Sequence, residues 1–148
     1  MRRYPRSVLA SVLIVAFGVG AAHAQAAVSG LGQSSPNTTD VSTSPNYHVY
    51  VFQRGTNRYI QVNDASGNVR GAVVRTPYSL LGVPVGSDAT RVATPDEPLP
   101  VPASTTGETV YQDDSVKVFV APQTDGTMQI RAVATECKNP LECTGKSP

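Results

Sequence analysis

The 148-residue sequence has no tryptophan, few aromatic residues and little excess charge, with 12 Lys and Arg against 11 Asp and Glu. Nucleic-acid-binding domains are usually clearly basic, so this balance argues against a nucleic-acid partner. Beyond the first two dozen residues there is no long apolar segment that could cross a membrane. The length corresponds to one domain of ordinary size.

Residues 1–24 have the pattern of a secretory signal peptide. Arg2, Arg3 and Arg6 precede an apolar segment over 8–19, and a small-x-small motif ends at Ala24. The apolar segment is too short for a membrane anchor, which needs about 20 residues. We therefore predict cleavage after Ala24 and a periplasmic or secreted protein without a transmembrane span.

Cleavage would change the chemistry that the chain offers. The remaining chain has nine basic and eleven acidic residues, a net charge of −2, and His48 as its one histidine. A Ser–His–acid triad would depend on His48, which lies inside a predicted strand, where we expect a structural role. Two cysteines and one histidine are too few for a structural zinc site, which needs four ligands. We predict a protein that is not an enzyme and that has no metal and no cofactor.

The first half of the remaining chain predicts a β-meander. β-branched and aromatic residues are dense over 47–53, 58–62 and 69–76, and turn-forming residues at 54–57 and 64–68 separate these segments. A calcium loop at 64–68 is not predicted, because the glycine is misplaced and an arginine stands where a bidentate glutamate is needed.

A β-hairpin is predicted in the second half. Valines alternate with other residues over 116–120, and 128–134 supplies the returning strand. The Asp125-Gly126 pair between them favours a type I′ turn. Two shorter strands are predicted at 90–93 and 109–111.

The fold prediction is an all-β domain, a small antiparallel sandwich or partly closed barrel formed by the meander and the later hairpin. Helix is predicted in the signal peptide alone, because no later segment has a helical apolar period. The predicted organisation is a signal peptide (1–24), a flexible Ser, Thr and Gly-rich leader (25–45), one β domain (46–135) and a C-terminal tail (136–148).

Two local features complete this organisation. Four prolines within 95–102 exclude a central strand and predict a crossover loop that covers a sheet edge, with a docking surface for a partner as the alternative. Cys137 and Cys143 predict a structural disulfide in the tail, because an exported chain meets an oxidising compartment.

The charge distribution suggests a binding surface. Residues 46–94 carry a net charge of +3 and residues 95–148 a net charge of −4. Arginine recognises carboxylates and phosphates, and tyrosine rings stack on flat ligand surfaces. We predict binding residues at Arg54, Arg58, Tyr50 and Tyr59. The alternative is that the basic half neutralises the acidic half within the same domain.

The predicted function is an exported, non-enzymatic protein that binds an envelope protein or an anionic envelope glycan or lipid through its β surface. The alternative is a small secreted hydrolase using paired carboxylates, with Asp96-Glu97 and Asp113-Asp114 as the obvious pairs. Neighbours on an extended chain point to opposite sides, which disfavours both pairs.

Overall fold

A computed structural model of the protein describes residues 30–146. Within them, eight strands form two four-stranded sheets, neither of which closes on itself. The sheets share one hydrophobic core. The predicted all-β fold is therefore confirmed, in its sandwich form. The predicted signal peptide lies outside the described residues.

The first sheet is an antiparallel meander with its strands in chain order. Its strands are β1 (Tyr47–Arg54), β2 (Asn57–Asp64), β3 (Val69–Arg75) and β4 (Leu80–Val83). The first three strands were predicted. The fourth was missed, because it is short, contains Gly82 and follows a turn that begins with Pro77.

The second sheet has the order β5-β8-β7-β6. Its strands are β5 (Val92–Ala93), β6 (Glu108–Gln112), β7 (Val116–Pro122) and β8 (Met128–Ala134). The predicted hairpin is β7–β8, and β6 pairs antiparallel with β7. Strands β5 and β8 run parallel, so the sandwich is not wholly antiparallel.

The hairpin between β7 and β8 is confirmed, but its predicted turn type is wrong. A type I′ turn needs a positive φ at both central residues. Gly126 has a φ of 81°, but Asp125 does not have a positive φ, because among the described residues only glycines do. The Asp125 carboxylate instead accepts hydrogen bonds from the Thr127 N–H and hydroxyl, which stabilises a wider turn.

The core lies between the sheets and follows the alternation of the strands. Val116, Val118 and Val120 of β7 are fully buried, as are Ile130 of the neighbouring β8 and Ile60 of the facing sheet. Burying a side chain of this size stabilises a fold by about 1.5–3 kcal/mol. The inward-facing side chains of the long strands therefore form the interior.

The C-terminal tail contains one helical turn, α1 (Pro140–Cys143). The Asn139 side chain caps it by accepting from the Leu141 N–H, and proline stands at its start, where a missing N–H costs nothing. The predicted disulfide between Cys137 and Cys143 is confirmed. A single capped turn inside a disulfide loop has no apolar period, so its sequence gave no helical signal.

Residues 30–44, which we name the N-terminal cover, pack on the first sheet instead of forming a free leader. Gln61 accepts from the Gly32 N–H at 2.6 Å and donates to the Gln33 carbonyl at 2.9 Å. Asn63 donates to the Ser34 carbonyl at 3.0 Å. This cover has few large apolar side chains of its own, and the strand beneath supplies its partners.

The C-terminal cover consists of residues 94–102 and 137–146, which lie on the second sheet and beside β4. Arg131 of β8 is fully buried and donates to Thr144 Oγ1 at 2.7 Å and to the Pro100 carbonyl at 2.6 Å. Backbone bonds between Leu99 and residues 144 and 146 join the two segments. The proline-rich crossover loop thus covers part of the sandwich, including the edge at β4.

Candidate binding surface

The structure places the four predicted binding residues on two different faces of the first sheet. Tyr50 and Tyr59 alternate with the buried Val49 and Ile60, so they lie on the outer face, away from the second sheet. They are close on that face, because Tyr50 is paired with Gln61, two residues from Tyr59. Arg54 follows on the same face of β1.

Arg58 has the opposite orientation and links the two sheets. Its guanidinium lies 3.1 Å from Asp113 Oδ2 and also donates to the Ser115 hydroxyl. The Tyr111 hydroxyl donates to the same carboxylate at 2.6 Å. Arg58 therefore has a structural role, and we do not propose it as a ligand contact.

Burial and hydrogen bonding shift the pKa values of Tyr111 and Asp113 in this cluster. Burial, followed by the hydrogen bond to Asp113, raises the pKa of Tyr111 to about 12. Burial acts to raise the pKa of Asp113 as well, but hydrogen bonds from Tyr111, Ser115 and Val116 lower it below its ordinary value. Asp113 is consequently an ionised acceptor for Arg58 at neutral pH.

Arg54 lies in a different environment, at the hairpin between β1 and β2. With Tyr59 and the hairpin residues 55–57 it lines an open, polar depression of about 470 Å³. Within residues 30–146, Arg54 forms no salt bridge, whereas Arg58, Arg70 and Arg91 each lie near a carboxylate. Its guanidinium is therefore available to a ligand.

The remaining ion pairs of the basic half are mostly local. Arg70 lies 2.7 Å from Asp88 and 3.6 Å from Asp64, and Arg91 lies 3.8 Å from Asp88. Among the described residues, the Arg58–Asp113 pair is the one salt bridge that joins the basic half to the acidic half. Mutual neutralisation of the two halves thus accounts for one arginine of five.

An apolar row crosses the outer face beside the depression. Strand pairing aligns Phe52, Tyr59, Val74 and Leu81 across the four strands. Phe52 is buried beneath the N-terminal cover, where a side chain at Gly30 would lie 2.9 Å from its ring. The other three are partly exposed, so the floor of the surface continues beyond Arg54 as an apolar strip.

Tyr78 projects from the turn between β3 and β4, and 96% of the residue is exposed. The turn is fixed, because Thr76 Oγ1 accepts from the N–H groups of Tyr78 and Ser79. Tyr78 is not among the four binding residues predicted from the sequence. A tyrosine following proline in a turn was the available signal.

Three of the four carboxylates considered for hydrolysis have structural partners, and the fourth, Asp114, is exposed. Asp96 and Glu97 accept from backbone N–H groups of β4, and Asp113 is bonded as described above. The predicted turn at 64–68 is confirmed, with Asp64 accepting from the Ser66 and Asn68 N–H groups. In residues 30–146 no three His, Cys, Asp or Glu side chains are grouped to hold a metal ion.

His48 anchors the N-terminal cover to β1. Its Nδ1 lies 2.8 Å from Asp40 Oδ2, and Asp40 Oδ1 accepts from the Val49 N–H at 2.9 Å. The His48 ring is stacked beside Tyr50, with 6.4 Å between the ring centroids. These contacts hold the N-terminal cover against β1 at His48 and Val49.

Comparisons with known proteins found no matching family model, no matching curated protein and no matching solved structure. None of the helices in the described part of the chain has the length and apolar character needed to span a membrane. A function for this protein is therefore inferred from the geometry of the outer face.

Proposed function

We propose that this protein is an exported, non-enzymatic binding module that holds an anionic envelope ligand on the outer face of its first sheet. The ligand chemistry is a carboxylate or phosphate attached to a flat or apolar body, as in an acidic glycan or a lipid headgroup. The protein works in the periplasm or outside the cell after removal of residues 1–24.

One observation carries the proposal: Arg54 has no salt bridge among the described residues and shares an open depression with Tyr59. A guanidinium offers a planar fork of donors to an anion. The tyrosine ring offers a stacking surface, and the side chains of Thr56 and Asn57 add polar contacts at the rim. Tyr50 extends the aromatic surface along the same face.

The test measures retention of the purified protein on immobilised polygalacturonate and on vesicles containing phosphatidylglycerol. We expect Arg54→Ala to weaken binding about tenfold or more, since a hydrogen bond to a charged group contributes about 1.5–3 kcal/mol. Tyr59→Ala should weaken binding to the glycan. Whichever support retains the parent protein identifies the source of the anion.

Lys138→Ala is the matched control, because it removes the same charge from an exposed position in the C-terminal tail. It should leave retention unchanged at moderate salt. Equal losses for Arg54→Ala and Lys138→Ala would mean that net charge alone governs retention, and the proposed site would be wrong.

A protein partner is the second candidate, and Tyr78 is the observation that favours it. Tyrosine is enriched among the residues that contribute most of the binding energy at protein interfaces. If this candidate is correct, one dominant envelope protein should co-purify with the tagged parent and be absent with Tyr78→Ala, while Arg54→Ala retains it. Co-purification that is unaffected by Tyr78→Ala would exclude this turn as the interface.

A further inference from the structure

The edge strand β4 has its outward N–H groups bonded to carboxylates. The Leu80 N–H donates to Asp96 Oδ2 at 2.7 Å, and the Gly82 N–H donates to Glu97 Oε2 at 2.6 Å. Bonds to ionised acceptors are short and strong. The two side chains thus take the positions where the carbonyls of a fifth strand would lie.

The loop that carries these carboxylates cannot itself form that strand. Pro95 and Pro98 have no N–H to donate. A turn held by reciprocal backbone bonds between Thr94 and Glu97, and by a bond from the Glu97 N–H to Thr94 Oγ1, orients the acidic pair toward β4. The loop therefore presents acceptors to the edge without extending the sheet.

An unprotected edge strand pairs readily with another strand, and natural proteins block such edges with charge and proline. We propose that Asp96 and Glu97 block strand addition at β4, and that a second copy of this chain pairs with β4 when both carboxylates are removed. A second copy fits because two antiparallel β4 strands related by a twofold axis present the same donors and acceptors to each other.

The surroundings of β4 favour this occupant. A depression of about 360 Å³ beside the strand is lined by Gly82, Val92, Pro98 and Leu99, with Glu97 at the same site. An approaching strand would therefore find an apolar floor once the acidic side chains are absent. With both carboxylates present, twofold pairing would place four negative charges at one interface, which opposes association.

The test is the molar mass of Asp96→Ala/Glu97→Ala measured by light scattering across a concentration series. We expect the parent to remain a monomer and the double variant to double in mass as concentration rises. Asp114→Ala/Glu136→Ala is the matched control, because both residues are exposed and accept no hydrogen bond within the described residues. It should remain a monomer.

Two further measurements keep the proposal falsifiable. Adding Gly82→Pro to the double variant removes an outward N–H and should restore the monomer, so association that persists would show that another surface is responsible. Amide exchange at Leu80 and Gly82 should be about tenfold faster or more in dilute double variant than in the control. Unchanged exchange, or a monomeric double variant at every concentration, would overturn the proposal.

Discussion

The N-terminal and C-terminal covers stabilise opposite parts of the sandwich with different chemistry. The N-terminal cover is held mainly by neutral amides of Gln61 and Asn63 and by backbone bonds from Val41 and Thr43 to β1 and β6. The partly exposed Asp40–His48 pair adds a charged contact. The C-terminal cover is held by the charged groups of Arg131, Asp96 and Glu97 and by a disulfide. The N-terminal cover thus resembles an added strand, whereas the C-terminal cover is fastened by individual side chains.

The difference has a physical consequence for mutation. Backbone bonds survive most substitutions, because every residue except proline can make them. Side-chain bonds to an edge or to a buried guanidinium depend on individual residues. We therefore expect the C-terminal cover to be the more sensitive of the two, and its loss to expose an edge and a buried charge together.

The largest expected effect is that of Arg131→Ala. The change leaves a cavity and removes the donors to Thr144 and the Pro100 carbonyl. We expect the free energy of unfolding to fall by about 3 kcal/mol or more in urea titration. Arg131→Met should cost much less, because burial alone lowers the pKa of Arg131 and no carboxylate offsets its charge within the described residues. A loss under about 1 kcal/mol for Arg131→Ala would mean that Arg131 does not hold the C-terminal cover.

Gln61→Ala tests the N-terminal cover. It leaves the Gly32 N–H and the Gln33 carbonyl without the buried amide that holds them, so the free energy of unfolding should fall by about 2–3 kcal/mol. Limited proteolysis should then cleave the cover earlier than in the parent. Gln53→Ala is the control, because its amide bonds to the exposed Gly55 carbonyl, and it should change stability by less than about 0.5 kcal/mol. Equal proteolysis of both variants would mean that Gln61 does not hold the cover.

Removing the disulfide tests the covalent bond within the C-terminal cover. The two cysteines are six residues apart, and a loop of this size stabilises a fold by about 2 kcal/mol in the chain-entropy model. Cys137→Ser/Cys143→Ser should lower the free energy of unfolding by that amount and speed amide exchange in residues 139–146. Unchanged exchange in that segment would show that Arg131 alone holds it.

The smallest effect concerns Asp40, which holds the N-terminal cover to β1. Burial acts to raise its pKa, but bonds from Val49, His48 and Ser42 lower it below its ordinary value of 3.8. Its contribution is therefore present above pH 3.8 and lost as the pH falls through the lower folded value. Because the side chain is 38% exposed, this contribution should stay below about 1 kcal/mol. Thermal melts of the parent and Asp40→Asn should differ at pH 6 and converge near pH 2. A constant difference would contradict this assignment.

Much of the sandwich was predictable, because its evidence is local. Alternation predicted the hairpin of β7 and β8, and turn residues between apolar segments predicted the meander. Strand β4 and the turn at Asp125 were not predicted correctly. Strand β4 is short, contains Gly82 and donates its outward hydrogen bonds to the distant Asp96 and Glu97, whereas the turn type was wrong because the local bonds between Asp125 and Thr127 favour a wider turn.

The candidate surface was predictable in part. Tyr50, Tyr59 and Arg54 share a face, as strict alternation allows, but Arg58 belongs to the opposite face and is bonded to Asp113. Sequence spacing could have separated Arg54 from Arg58 if the hairpin register had been known. It could not reveal that an aspartate 55 positions later would be the partner of Arg58.

The sequence by itself determined the strand segments, the inward apolar faces and the disulfide, because each follows from neighbouring residues or from cysteine chemistry. The tertiary structure alone decided which polar groups became buried. Gln61, Asn63 and Arg131 read as ordinary outward residues of their strands, yet distant segments cover them and accept or donate their hydrogen bonds. Burial of an outward side chain depends on which distant segment of the chain covers it, and the local sequence pattern does not predict that segment.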